Sequence, residues 1–168
     1  MDRYIILDID NCIADDGWRI KTIDWRDTDP FRRYHTYHQL SPWDAVGNRD
    51  LFEVVRKRIV VLTSRPVHYR AMTEEWLDRA EVPVKHLLMR NDVDFRPSLA
   101  VKASQLGWLW ADYGIHLAQI DCAYDDREEI LAMYRAHGLR TELRALHNIC
   151  AYANPLTGIN HATGQQIK

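Results

Sequence analysis

The chain contains no CxxC pair. Its three cysteines, Cys12, Cys122 and Cys150, are scattered and odd in number, which excludes a disulfide framework and suits buried thiols in a reducing compartment. Positive charge is not in excess either. A net charge of −2 and a pI near 6.4 exclude wide, sequence-independent binding along a nucleic-acid duplex. A local patch for one nucleotide or one strand end remains compatible with that balance. Long apolar runs are also missing. The run after Met1-Asp2-Arg3 ends at Asp8, well short of a signal core or a membrane span, so the sequence reads as a soluble, cytoplasmic protein with no membrane partner. There are no repeats and no low-complexity tracts.

What is present is ordinary globular material. Hydrophobic residues make up 46% and charged residues 27% of 168 positions, enough for one domain with a real core. We assign that domain to residues 1–150. The last eighteen residues, Ala151 to Lys168, carry Asn154-Pro155, Gly158 and Gly164 without periodicity and predict an irregular tail.

The most informative stretch is Tyr4-Ile5-Ile6-Leu7-Asp8-Ile9-Asp10-Asn11-Cys12. It is an apolar strand that ends in two aspartates one residue apart. Strand residues at i and i+2 share a face, so both carboxylates leave the strand end close together. Their repulsion is about 4 kcal/mol at ~4 Å and an effective dielectric of ~20, a cost that a divalent cation removes.

Residues 14–47 then break the pattern. Asp15-Asp16-Gly17, Asp29-Pro30 and Ser41-Pro42 are turn signals, and Trp18, Trp25, Phe31, Tyr34, Tyr37 and Trp43 make the segment dense in aromatics. It reads as a small cap-like insertion after the first strand. Its rings stack a base, cover a site, or build a small core of their own. His35 and His38 have zinc-like spacing but lack the second ligand pair that a zinc site needs.

Strand and helix patterns alternate from there. A helix is expected over Asn48–Lys57 with Leu51, Val54 and Val55 on one face, then a strand over Arg58–Thr63. Pro66 predicts a helix start, with Ser64 as its cap and an end near Glu81. Thr63-Ser64-Arg65 at that junction is a natural anion site. A strand over Val84–Met89 leads into a polar loop with Arg90 and Arg96, and a capped helix runs from Ser98 to Tyr113. That helix carries Lys102 near its N-terminus, where the macrodipole disfavours a cation unless an anion lies close. A fourth strand over Leu117–Tyr124 ends in Asp125-Asp126-Arg127, a helix covers Glu128–His137 with Gly138 as its stop, and a weak strand covers Thr141–Leu146.

The alternation implies an α/β fold with a parallel sheet covered on both faces, whose ligands sit beyond the carboxyl ends of the strands. Asp8/Asp10, Thr63–Arg65 and Asp125/Asp126 all fall there. A shared metal-and-phosphate site is the reading that explains the coincidence.

These residues resemble the haloacid dehalogenase superfamily of phosphotransferases over residues 4–147, the insertion excepted. Asp8-Ile9-Asp10 is similar to its first motif, Thr63 to its second, Lys102 to its third and Asp125-Asp126 to its fourth. Thr63-Ser64-Arg65, Met89-Arg90, Asp94-x-Arg96-Pro97, Val101-Lys102 and Asp125-Asp126-Arg127 further resemble the 3′-phosphatase domains of phage polynucleotide kinases. Cys12 and Asn11 depart from the threonine and glycine usual there, and no P-loop kinase motif is present.

The resemblance implies a Rossmann-like three-layer core and a Mg²⁺-dependent phosphatase. It implies Asp8 as nucleophile and Asp10 as general acid and base. Mg²⁺ is then held by Asp8, the Asp10 carbonyl, Asp126 and, in support, Asp125. Thr63, Ser64 and Lys102 bind phosphate, and Arg65, Arg96 and Arg127 contact the substrate. The implied substrate is a phosphorylated nucleic-acid end. A nucleotidase, another small-molecule phosphatase, transfer to an acceptor other than water, and a non-catalytic binding module are the alternatives.

Overall fold

The structure, a computed structural model, describes residues 2–53 and 58–147. In chain order the elements are β1 (Tyr4–Leu7), β2 (Ala14–Asp15), α1 (Gly17–Thr22), α2 (Pro30–Gln39), β3 (Ala45–Val46), α3 (Asp50–Glu53) and β4 (Arg58–Pro66). They continue with α4 (Arg70–Arg79), β5 (Val84–Arg90), α5 (Ser98–Tyr113), β6 (Ile120–Asp125), α6 (Glu128–Ala136) and β7 (Thr141–Leu143).

Five strands form one parallel sheet in the order β5-β4-β1-β6-β7. The α/β expectation holds, and so does the burial of both sheet faces. Alternate residues of one strand feed opposite cores. Ile6, Val60 and Leu62 pack with Leu106, Leu109, Ile130 and Tyr134, while Ile5, Leu7, Ile59 and Val61 pack with Trp76 and Leu77. That double burial is why these strands read as continuous apolar runs. The chain crosses from β1 to β4 on one side and later to β6 on the other. The order therefore reverses at β1, and a crevice opens beyond its carboxyl end.

Residues 14–47 leave and rejoin this core at one place, because β2 and β3 pair antiparallel through Ala14↔Val46 and Asp15↔Ala45. Within the excursion, Asp29 caps α2 by accepting from the Phe31 and Arg32 amides, and Pro30 sits in the first turn. The rings of this segment do not gather into one cluster. Tyr37 is buried, whereas Phe31 and Trp43 are exposed.

Several boundaries differ from expectation. The chain stays extended through Pro66, which pairs with Arg90 of β5. A residue before proline is pushed out of the helical region, and Arg65 is that residue. A 3₁₀ turn over Val67–Tyr69 follows, α4 starts only at Arg70, and Ser64 therefore caps nothing. Ser98 is likewise the first helical residue of α5 rather than its cap, while Gly114 closes that helix at φ +64° as only a left-handed residue can. Leu117–Gln119 is a 3₁₀ turn leading into β6, and β7 stops at Leu143. Of the helix expected over 48–57, Asp50–Glu53 is helical. Val54, Val55, Cys150 and the tail 151–168 lie outside the described residues. Among the described residues, no helix is long and apolar enough to cross a membrane.

Candidate active site

The crevice holds two adjoining clusters of buried charge. The first is built on Lys102, which enters from the start of α5. Its Nζ lies 2.6 Å from Asp8 Oδ1 and 2.6 Å from Asp125 Oδ2. The anions expected near this misplaced lysine are thus present, one from the end of β1 and one from the end of β6. Burial alone would lower the lysine's pKa, but Asp125 and Asp8 outweigh it and hold the ammonium charged.

Asp126 completes this cluster. One oxygen each from Asp8, Asp125 and Asp126 lie within 4.8 Å of one another, and all three residues are buried. One lysine against three carboxylates leaves the group short of positive charge. Burial, only partly offset by Lys102, pushes Asp8 up to about 7. Burial together with Asp8 and Asp125 pushes Asp126 well above the usual carboxylate range. An oxygen-rich, under-neutralised set of this kind fits a hard divalent cation such as Mg²⁺.

Asn11 links this cluster to the C-terminal part of the fold. Its backbone takes φ +58°, a conformation that glycine adopts freely and asparagine tolerates. Its Nδ2 donates to Asp126 Oδ2 at 3.0 Å, and its Oδ1 accepts from the His147 amide at 2.7 Å.

The second cluster is built on Asp10. The two aspartates of the first strand do not share a partner, because β1 ends at Leu7 and regular alternation ends with it. The Asp10 carboxylate turns to two arginines instead. Arg65 Nη2 is 2.6 Å and Arg19 Nη2 is 2.5 Å from Asp10 Oδ1. Arg19 and Arg65 also reach Asp44 Oδ2, at 2.8 and 3.4 Å. Trp18 donates to Asp44 Oδ1 and Trp76 to its carbonyl, which fixes Asp44 from both sides. Burial would raise the Asp10 pKa, but Arg65 and then Arg19 outweigh it and hold the carboxylate ionised. Arg19, wholly buried, stacks 4.1 Å above the Tyr37 ring.

Of the residues expected to bind phosphate, Lys102 is central to the first cluster. Thr63 is buried, and its hydroxyl accepts from the Arg65 amide at 3.2 Å. Ser64 Oγ and Arg65 Nη1 are buried without a hydrogen-bond partner among the described residues. Buried polar groups left unmet are costly unless something visits them.

The remaining two arginines are placed differently from Arg65. Arg96 is exposed and forked on Asp94, and Arg127 pairs with Glu129. Both stand near Arg90, a residue with a plain structural task. Arg90 donates to the carbonyls of Ser64, Asp94 and Arg96 and so holds the loop after β5 against the site.

Arg19, Asp44, Asn11 and Gln105 belong to the site without having been singled out from sequence. Gln105 is buried and donates to the Thr63 carbonyl at 2.8 Å. Arg19 is one of five basic residues between 19 and 33. Nothing in its spacing separates it from the others, since only the packing of the insertion buries it. Asn11 carried a signal, as asparagine standing where a left-handed turn is needed.

Comparison with known proteins agrees with this geometry. The family model for the polynucleotide kinase PNKP phosphatase domain matches residues 2–143. No curated protein matches the sequence. Among solved structures, a chain of a Pnkp1/Rnl/Hen1 RNA repair complex superposes with a TM-score of 0.62 at 18% identity, over 85% of this chain and 42% of that one. This chain therefore spans less than half the length of that relative. A haloacid dehalogenase-like hydrolase from Streptococcus pneumoniae superposes with a TM-score of 0.57 at 10% identity, over 83% of each chain. Another hydrolase from Streptococcus pneumoniae TIGR4 gives 0.54 at 14% identity, over 84% of this chain and 92% of that one. With the family model covering most of its length and the carboxylates, lysine and threonine gathered at one sheet edge, the chain belongs to the PNKP phosphatase-domain family of the haloacid dehalogenase superfamily.

Proposed function

We propose that the protein is a Mg²⁺-dependent phosphomonoesterase that removes the 3′-phosphate from a nucleic-acid end through an aspartyl-phosphate at Asp8. The observation that carries the reading is the contrast between a carboxylate cluster short of cations and an adjoining arginine pair with buried, unmet donors. A phosphate ester needs both sides. Asp8, Asp126 and the Asp10 carbonyl would hold Mg²⁺, with Asp125 in support. When bound, the ion supplies positive charge against which phosphoryl oxygens can rest.

Asp8 would attack phosphorus as the leaving oxygen departs, and water would then free the enzyme and release phosphate. Lys102, Thr63 and Ser64 would hold the phosphoryl oxygens and neutralise charge in the transfer. Asp10 would protonate the leaving alcohol and later take a proton from water. Its two arginines oppose the first of these tasks while both remain on it. An arriving phosphate that draws Arg65 or Arg19 toward itself frees Asp10 for the acid role, so substrate arrival and acid activation become one event. Arg96 and Arg127 would contact the strand nearer the surface.

The strand-end substrate is supported by the family match and by the kinship of fold with a component of an RNA repair complex. The net charge of −2 and the local pairing of Arg96 and Arg127 favour contact with an end over contact along a duplex. The same features also suit a nucleoside monophosphate, which makes a nucleotidase the second reading.

Phosphate release with and without Mg²⁺, from a 3′-phosphorylated oligonucleotide beside nucleoside monophosphates, tests the proposal. Mg²⁺-dependent release from the oligonucleotide is expected. Release from the monophosphates alone would replace the substrate assignment, and silence on both would remove the catalytic one.

A further inference from the structure

The insertion and the loop after β5 meet at a feature that folding does not explain. Phe31 is 48% and Phe95 is 55% exposed, yet their rings form an edge-to-face pair with centroids 5.3 Å apart and an interplanar angle of 81°. Such a pair leaves ring surface open to a third aromatic partner. Neither ring belongs to the core, which other, better-buried side chains fill.

The pair stands at the outer end of a stripe that leads to the catalytic carboxylates. Phe31, Tyr34, His35 and His38 recur at i, i+3, i+4 and i+7 on α2 and so share one face. The inner residues of this stripe touch the core. The Tyr34 hydroxyl lies 3.5 Å from the Ser64 carbonyl, His35 Nδ1 is 2.5 Å from the Tyr69 hydroxyl, and the buried His38 stacks on Tyr69. At its inner end His38 feels the charges of Asp10, Arg19 and Arg65. Seven residue steps of helix separate that end from Phe31, about 10 Å along the axis, enough to seat the sugar and base that follow a bound phosphate.

Phe95 is fixed in the same frame. Arg90 binds the carbonyls on either side of it, Asp94 O at 2.8 Å and Arg96 O at 2.6 Å, and the Ser64 carbonyl at 3.0 Å. The ring is therefore held relative to the anion site rather than left on a free loop. Arg96 and Arg127 add positive charge around Arg90. Aromatic faces beside cations are what a base and its phosphate recognise together.

We infer that Phe31 and Phe95 form a stacking platform for the terminal nucleobase of the strand whose phosphate enters the site. This deepens the proposed function and rests on it for the substrate. The platform reads a base through its flat face, so any base is accepted and an end without a base is not.

The test compares a 3′-phosphorylated oligonucleotide with the same strand lacking its terminal base, using the full chain, a Phe31→Leu/Phe95→Leu double variant and a Phe95→Trp variant. The Leu pair keeps apolar volume but removes the aromatic faces, and thermal melting checks that it folds. The expected result is a kcat/KM preference of the parent chain for the base-bearing end that falls about 10-fold in the double variant and survives in Phe95→Trp. A preference unchanged in a folded double variant overturns the platform, and so does an equal loss on both ends, which would make the pair a latch between insertion and core. Binding of the two ends to the Asp8→Asn chain, followed by fluorescence anisotropy, separates the two proposals. If the parent releases no phosphate but binding still prefers the base through Phe31 and Phe95, the platform stands and the phosphatase reading falls.

Discussion

The Lys102 cluster and the Asp10 cluster lie beside each other in one crevice, yet their charge is arranged in opposite ways. Around Lys102, three buried carboxylates share a single cation. Around Asp10, two carboxylates share two guanidiniums. Burial is similar, so the difference is one of stoichiometry. The first cluster is left short of positive charge, the second is balanced and still has unmet donors at Arg65 Nη1 and Ser64 Oγ. The comparison teaches that two buried charge clusters can adjoin in one crevice when one is left short of cations and the other is balanced, so that each suits a ligand of opposite charge.

Substitutions can break that contrast at different strengths. Asp8→Asn removes the proposed nucleophile while keeping the shape, and should lower phosphate release by about 10³-fold or more with little change in melting temperature. Asp10→Asn should cost about 10²- to 10⁴-fold in the same assay, as expected for loss of a general acid and base.

Stability with and without Mg²⁺ separates the clusters directly. Lys102→Met leaves three carboxylates without their cation, and Arg19→Met leaves Asp10 and Asp44 on one arginine. Each should lose about 3–5 kcal/mol in urea unfolding. Added Mg²⁺ should recover part of the loss at Lys102 and none of it at Arg19. Equal recovery at both would dissolve the distinction drawn between the clusters.

Asn11→Gly sharpens the first cluster alone. Glycine keeps the left-handed turn but removes the side-chain bond to Asp126, so Mg²⁺ affinity read by thermal shift should fall about 10-fold while the fold survives. A smaller effect is expected from His38, buried near both arginines. Burial, partly countered by Asp10, holds its pKa well below the ordinary 6.5. The folded chain thus binds fewer protons at this site than the unfolded chain. Stability is unaffected by this residue above about 6.5 and declines as pH falls below it, by at most about 1.4 kcal/mol per pH unit. Asp8 and Asp126, raised by burial, gain stability over the same range. The His38 decline is therefore read as the difference between the parent chain and His38→Gln in unfolding measured from pH 7.5 to 5, the parent losing stability relative to the variant as pH falls.

Much of this arrangement was legible in the sequence, for identifiable reasons. Buried parallel strands announce themselves as apolar runs, and the polar residues that stop them, Asp8, Thr63 and Asp125, mark one edge of the sheet. Lys102 was legible because a cation at a helix start needs an explanation. The rest depended on packing. Pairing with β5 carried β4 through Ser64 and Arg65 to Pro66, where local propensity pointed to a helix start. The parting of Asp8 and Asp10 was hidden because strand alternation holds only while the strand lasts. Arg19 and Asp44 were hidden because each needs the folded insertion to bring it to Asp10. Their ionic partners lie 9 to 25 residues away, beyond any local pattern.

The central claim is that Asp8 carries the phosphoryl group between substrate and water. Acid quenching of the enzyme during turnover of a 3′-³²P-labelled oligonucleotide, followed by peptide mapping, tests it most directly. The account predicts a base-labile label on the peptide that contains Asp8, absent in Asp8→Asn. Brisk phosphate release with no label on that peptide, together with turnover by Asp8→Asn, would contradict it.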